Sequence, residues 1–557
     1  MRDQASAPRA QAGEESQPAR AGSVDARPDT QCATGKGEQR PVRRGRLIDA
    51  GVVLALVAGW LAWLGPRVVR DWPITHDTFR DAAAVHNVLA GHWRADPVIN
   101  GLTYWYAPLS PMVMTLVCRA SGADPLVAYS SSILWWNVWL APLLYLLLRT
   151  CLDRPTALTG VLCVWLGARW WNTHAAQPQP SIQGVVFVLG TLLLWSAGRR
   201  RALGWAVLTG AGLAVCTWHH LICALVTTAA IGGHALVVLV HPRPGIDRVG
   251  MVRRVATVAV VCAILVGPLA WRLLNIPRVN LAPIRYVAPE FGNPRYAYFS
   301  QTPLVPILAI LGAWLVLRCH VAKAGWLPCL AAVGLLGSLP GHFRPSPMRD
   351  RFVLLPHEFQ WHAHLALGAL AAIGVMQFAR SVGWLARARP RLARNAAWLG
   401  MMGVMLGPDL ARLPGRISIP WVLARPAPAA AEAAAWIKKH TRITDVFLAD
   451  VGHSYFLVGA RTGRKLFSPS PGHSHFAFDA QAAGAALETV LSTGDRDELM
   501  SVLSRRRADY ALLGPEQVDR ADLWQGWSVA EPVFRSADGT LTIMRFTVRA
   551  EAEAAGG

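Results

Sequence analysis

From residue 47 to residue 412 the chain alternates long apolar runs with short, arginine-bearing connectors. The runs fall at 47–64, 125–148, 155–171, 181–197, 202–218, 221–240, 255–274, 302–318, 325–340, 358–379 and 396–411. Each is near the ~20 residues a helix needs to cross a bilayer, so the pattern predicts about eleven spans. A further apolar stretch, Pro108 to Ala120, is short and predicts a re-entrant or interfacial helix. Upstream of it, Phe79 to Ala90 has the spacing of an amphipathic helix. Over 425–546 the pattern predicts a helix ending at Trp436–His440, a strand at Asp445–Asp450, helices near 479–492 and 495–506, a strand at Tyr510–Gly514 and two strands within 531–546. This is the signature of a small soluble α/β domain, residues 425–557.

Residues 1–46 are rich in Arg, Pro, Ser, Gly and Gln and hold almost no aliphatic clusters. They bury too little surface to offset ordering entropy, which predicts a disordered tail. The run after Arg43-Arg44-Gly45-Arg46 has no small-residue cleavage pattern behind it and reads as a signal anchor. The tail is then cytoplasmic and the loop 66–124 external. An odd number of spans places the C-terminal domain outside as well. Arg149, Arg154, Arg199–Arg201, Arg243, Arg248, Arg253, Arg254, Arg318, Lys323, Arg380, Arg387, Arg389, Arg391 and Arg394 all fall in connectors that this topology assigns to the cytoplasm, as the positive-inside rule expects.

Composition agrees with a polytopic membrane protein, residues 47–412 forming its body: 53% of the 557 residues are hydrophobic and only 16% are charged. Many of the 24 tryptophans, including Trp60, Trp63, Trp72, Trp170, Trp171, Trp218, Trp326 and Trp361, sit at segment ends as an interfacial belt does. The net charge of +21 is spread between apolar runs rather than gathered with aromatics, which excludes a nucleic-acid-binding domain. No CxxC pair occurs among the nine cysteines, so neither a zinc site nor a disulfide framework is indicated. GxGxxG and P-loop patterns are absent.

Candidate chemistry gathers where ionisable side chains interrupt this plan, because a charge beside the bilayer is costly to keep. Asp77 stands in Trp72-Pro-Ile-Thr-His-Asp-Thr-Phe-Arg80, just beyond the first span. It is a candidate general base, although an Asp there also serves as a helix cap. His76, Asp81 and His86 are its neighbours; Asp81 lies one turn on, placed to form an acidic pair or metal ligand with Asp77 or to pair with Arg80 or Arg94. The external loop 341–352 carries Arg344, Arg349 and Arg351 against the positive-inside trend, and guanidinium forks suit phosphate. Arg278, Arg285 and Arg295 with Tyr286, Tyr296 and Tyr298 form a similar set; anionic lipid headgroups are the alternative partner for any single arginine. His174, His220, His357 and Glu358 are polar insertions on the external side and suggest a cavity lined for a sugar. The run from His357 reads His-Glu-x-x-x-His, with Trp361 where a zinc protease helix needs histidine.

The run from Asp77 through Asp96-Pro97, Tyr104-Trp-Tyr106 and Ala107-Pro-Leu-Ser-Pro111 resembles the GT-C superfamily of integral membrane glycosyltransferases that use polyprenyl-phosphate sugars. Shared features are an acid in the first external loop, juxtamembrane helices, an aromatic-proline turn into the membrane and an external C-terminal α/β domain. That domain opens here with Trp436, Ile437 and Thr441 and carries Thr462-Gly-Arg-Lys465. The resemblance implies transfer of a sugar from a polyprenyl-phosphate donor to an acceptor hydroxyl of a glycan, lipid or protein at the outer face of the cell membrane. One carboxylate can suffice, since the lipid phosphate is already a stable leaving group. Some relatives place a second acid in the next external loop to hold a divalent metal. Here Asn172–Pro180 has no Asp or Glu, which puts a metal in doubt. Two other readings are carried: an inactive GT-C-like scaffold that binds carrier lipid or a partner, and a lipid or glycan transporter, which predicts internal repeats that are not evident.

Overall fold

In a computed structural model the apolar runs become packed helices, and the C-terminal alternation becomes a sheet flanked by helices. The structure describes residues 42–75, 77–167, 174–198, 202–241, 247–276, 304–338, 356–411, 422–423, 426–450, 454–469, 475 and 477–547. The expected tail at 1–46 lies almost entirely outside them, as do Arg278, Arg285, Arg295 and their tyrosines. Helix α1 (Val42–Asp71) is followed by strand β1 (Pro73–Ile74), α2 (Asp77–Leu89) and α3 (Leu109–Ser121). Helices α4 (Pro125–Trp135) and α5 (Leu140–Arg149) join through a 3-10 turn. Then come α6 (Arg154–Gly167), α7 (Pro180–Ala197), α8 (Ala202–His219), α9 (Leu221–Val240), α10 (Arg248–Leu274), α11 (Leu304–Cys319), α12 (Trp326–Ser338), α13 (Pro356–Leu385) and α14 (Pro390–Ala411).

Six helical stretches among the described residues are long and apolar enough to cross a membrane: Gly45–Asp71, Pro125–Arg149, Pro180–Ala197, Leu221–Val240, Arg248–Leu274 and Glu358–Leu385. The chain is a multi-pass membrane protein. Helices also form at the other expected spans, but α11 and α12 are shorter apolar helices, like α3, and α6, α8 and α14 do not join the six. Helix α13 is the hub, packing on α6, α11, α12 and α14. At its contact with α12, a Cβ on Gly334 would stand 2.6 Å from the Ala363 nitrogen, so glycine lets the two backbones touch. At the far end of the bundle from Asp77, Asp49 of α1 takes Arg149 at 3.2 Å and Arg154 at 2.9 Å, placing those two arginines beside the start of the first span.

Local signals explain the turns around the site. Gly122 closes α3 in the left-handed region (φ 69°), and Asp124 then caps α4 by accepting from the Leu126 amide at 3.0 Å, with Pro125 in the first turn. The short apolar helix is thereby folded back against its neighbour.

Beyond the helical body, strand β2 (Val422–Leu423) pairs antiparallel with β1. Helix α15 (Pro428–His440), β3 (Val446–Ala449), a π-helix (Ser454–Ala460), β4 (Lys465–Leu466), α16 (Ala480–Ser492), α17 (Arg496–Arg505), β5 (Tyr510–Leu513), α18 (Val518–Gly526), β6 (Ala530–Arg535) and β7 (Thr542–Phe546) follow. The sheet order is β4-β3-β5-β7-β6; β3 runs parallel to β4 and β5, while β7 is antiparallel to β5 and β6. Strand alternation sends Val446 and Leu448 to one core with Leu487, Val490 and Trp524. Phe447 and Ala449 go to the other, where they share a continuous apolar core with Phe79, Ala82 and Val85 of α2, Met114 of α3 and Leu126 and Tyr129 of α4. The sheet therefore positions α2.

Candidate active site

Asp77 is the first residue of α2 and is exposed. It lies inside the helix rather than before it, where its negative charge meets the positive end of the helix dipole. The preceding turn is held by Thr78, whose amide and hydroxyl donate to the Thr75 carbonyl at 3.1 Å and 2.5 Å.

One turn into α2 the side chains become buried. Asp81 is fully buried and pairs with Arg80 at 2.9 Å. Of the expected alternatives for Asp81, the Arg80 pair is present, made through the Asp81 Oδ1 atom. The Arg80 guanidinium carbon stands 3.8 Å from the centre of the Tyr106 ring, a cation–π contact. Tyr106 meets the His220 ring edge-on at 5.9 Å, and His220 Nε2 is 3.6 Å from Glu358 Oε1. Glu358, 6% exposed at the start of α13, lies within electrostatic reach of both Asp77 and Arg80. Residues from α2, the 92–108 loop, the α8–α9 junction and α13 thus form a ring that returns to Asp77. Burial pushes the phenols of Tyr104 and Tyr106 well above the ordinary tyrosine range, so both remain neutral near pH 7.

Polar groups continue behind this ring. His174 is buried with its ring 5.3 Å from that of Trp361. Its loop is clamped by Asn137, whose amide donates to the Ala175 and Gln177 carbonyls at 2.9 and 2.8 Å. Gln183 donates to Ser132 at 2.6 Å, and His219 Nε2 bonds the Pro180 carbonyl at 2.9 Å. Buried atoms left without a hydrogen bond include Asn137 Oδ1, Gln183 Oε1 and Glu358 Oε2. The Gln360 amide nitrogen and His219 Nδ1 are others.

The structure brings together Asp77, Asp81, His220 and Glu358, with His174 further along the same helix end. His76, Arg344, Arg349 and Arg351, and the side chain of His357, lie outside the described residues. Among the described residues no group of three His, Cys, Asp or Glu side chains could hold a metal ion. The residue that sequence reasoning passed over is Arg80, treated only as a partner for Asp81. Its signal is positional: Arg80, Ala83, Ala84 and Asn87 fall at helical spacing, and all four are buried.

This arrangement, an acid at the start of a juxtamembrane helix that packs between a helical membrane body and a C-terminal sheet, has the fold of the GT-C glycosyltransferases. Over 90% of its length the chain is similar to the oligosaccharyltransferase AglB from Archaeoglobus fulgidus, solved with an inhibitory peptide and a dolichol-phosphate, at a TM-score of 0.59, 10% identity and 75% coverage of that chain. ArnT from Cupriavidus metallidurans, solved bound to undecaprenyl phosphate, matches 90% of this chain and 98% of its own at a TM-score of 0.54 and 15% identity. The mycobacterial arabinofuranosyltransferase AftD gives a TM-score of 0.54 and 15% identity over 90% of this chain and 40% of its own. No family model matches the sequence, and no curated protein matches it.

Proposed function

We propose that this protein is a membrane glycosyltransferase that moves a sugar from a polyprenyl-phosphate donor to an acceptor hydroxyl at the outer face of the cell membrane. The observation that carries the reading is the ring around Asp77: an exposed carboxylate at a helix start, with a buried Arg80, His220 and Glu358 and a half-buried Tyr106 behind it, on a GT-C fold. The bound carriers of two structural neighbours, a dolichol-phosphate and undecaprenyl phosphate, support the donor class. Arginine-rich connectors support the orientation, with the N-terminus cytoplasmic and residues 425–557 as an external domain behind the body at 47–412.

In the proposed reaction Asp77 takes the proton of the acceptor hydroxyl as its oxygen bonds to the anomeric carbon. The bond from that carbon to the phosphate oxygen breaks, and its electron pair leaves with the polyprenyl phosphate. Arg344, Arg349 and Arg351 are proposed to hold that phosphate, since Arg forks match it. His174, His220 and Glu358 are proposed to meet sugar hydroxyls, which both donate and accept and so suit a wall that mixes ring nitrogens with a carboxyl group. His76 and His357 are proposed as further contacts.

The test is transfer from a labelled polyprenyl-phosphate sugar by Asp77→Asn. Loss of about 10²–10⁴ in rate is expected for a missing general base. A folded variant with undiminished transfer refutes the mechanism. Wild-type protein that binds undecaprenyl phosphate and never turns over with any donor would instead make the chain a carrier-binding scaffold.

A further inference from the structure

The Thr462–Lys465 run is wholly buried, and each residue faces a different element. The Thr462 hydroxyl donates to the Val458 carbonyl at 2.5 Å, closing the π-helix. Gly463 adopts φ +72° against His86 of α2, leaving no room for a Cβ. Arg464 turns back to the C-terminus of α15, donating to the carbonyls of Ile437, Lys438 and Thr441 and, through Nε at 3.0 Å, to the Thr441 hydroxyl. These carbonyls lie at the end of the helix, where a cation suits them, and that of Ile437 also accepts the Thr441 amide and hydroxyl. The Thr441 and Thr462–Lys465 features seen in the sequence are therefore two halves of one joint.

Lys465 points the other way. Its ammonium, 2% exposed as a residue, donates to Asn87 Oδ1 of α2 at 3.2 Å, the Asp96 carbonyl at 2.6 Å and the Pro97 carbonyl at 3.4 Å. Three donors meet three oxygens, none of them a carboxylate. The Asp96 carboxylate is itself occupied by the amides of Val98 and Ile99 at 3.0 and 2.8 Å. Asn87 donates to the Ala95 and Asp96 carbonyls at 3.2 and 3.0 Å, so one amide and one ammonium knit α2 to the loop that leads to Tyr104 and Tyr106. Leu466 N to the Val98 carbonyl at 2.7 Å and His475 Nε2 with the Thr103 carbonyl at 2.9 Å extend the same seam.

A buried ammonium costs several kcal/mol of desolvation, and an apolar side chain of similar size often packs as well. Adhesion alone does not call for lysine here. What the ammonium supplies is direction, since it fixes three oxygens of two segments at once. We propose that Lys465 is a positioning residue: from the C-terminal sheet it sets the placement of α2 and the 92–106 loop, and through them that of Asp77 and Tyr106. This rests on the transferase reading only for its effect on turnover.

The experiment compares Lys465→Met and Lys465→Gln with the wild-type full chain in detergent micelles, by hydrogen exchange of backbone amides. Lys465→Met should speed exchange across 78–106 by about tenfold, the scale of leaving buried carbonyls without a donor, with the β5 and β7 amides unchanged. Lys465→Gln keeps two of the three donors on a shorter stem and should recover part of that protection. With a polyprenyl-phosphate sugar as probe, Lys465→Met should lower the maximal rate and leave half-saturation unchanged. Unaltered exchange at 78–106, or equal loosening of the sheet in both variants, overturns the proposal. The exchange measurement needs no turnover, so a chain that never transfers sugar would sink the function and leave the positioning result standing.

Discussion

Gly463→Ala isolates the contact between α2 and the C-terminal sheet. At φ +72° an alanine costs about 1–2 kcal/mol for the left-handed region. Its Cβ would also run into His86 Cβ, with His86 Cγ at 3.1 Å, and these atoms are anchored at the helix backbone rather than at a flexible tip. Overpacking of this kind adds roughly 1–3 kcal/mol. The expected loss is about 2–5 kcal/mol of unfolding free energy, a large share of a typical domain's stability. A guanidinium titration of the full chain in micelles, followed by tryptophan fluorescence, reads it. In a His86→Gly background the steric part disappears, and the cost of Gly463→Ala should fall to the ~1–2 kcal/mol of backbone strain. Gly484→Ala in α16, where nothing lies within 4 Å of a Cβ, is the control and should not destabilise. If Gly463→Ala costs less than about 0.5 kcal/mol, the scale of an ordinary surface change, or costs the same without His86, the contact does not hold the two parts together.

Arg80→Met should destabilise by about 3–5 kcal/mol, because Asp81 is left as a buried charge, and adding Asp81→Leu should restore most of that in the same titration. Burial holds His86 down at about 4, with the Lys438 charge acting in the same direction. As pH falls from 6.5 to 4 the unfolded chain therefore gains a proton that the folded chain refuses, and stability drops. His86→Gln lacks that loss, so its stability relative to wild type should rise by about 3 kcal/mol between pH 7 and pH 4; a flat difference refutes it. Burial likewise holds Lys465 down to about 8, opposed by the Asp96 charge. From pH 8 to pH 10.5 the folded chain is the first to lose its proton, so wild type should gain on Lys465→Met over that window in parallel denaturation curves.

The elements best legible in the sequence were those with a long, uniform period. Runs such as 221–240 and 358–379 are helices, and α2 and α3 fall within two residues of the expected amphipathic and interfacial helices. The strands at 446–449, 510–513, 530–535 and 542–546 also stand where alternation placed them. Strand β4 was not legible, because two residues carry no period and one of them is a lysine. The π-helix and α18 were missed for a similar reason, being short and set by tertiary packing. Asp77 stood out as an acid beside apolar segments. Arg80 did not: its pairing with the adjacent Asp81 was among the expected alternatives, but its burial under the Tyr106 ring comes from a loop some twenty-five residues on, which no local pattern announces.

The ribbon of Pro73–Ile74 with Val422–Leu423 has a consequence for how the protein is made. It joins segments more than three hundred residues apart, so its first strand leaves the ribosome long before its second exists. Closing so large a loop is paid for only once the intervening helices are in place. Strand β1 immediately precedes Asp77, and the core beneath α2 is completed by residues 429–543. A nascent chain therefore holds α2 before the apolar core beneath it can close. That packing is completed last, when synthesis is nearly over.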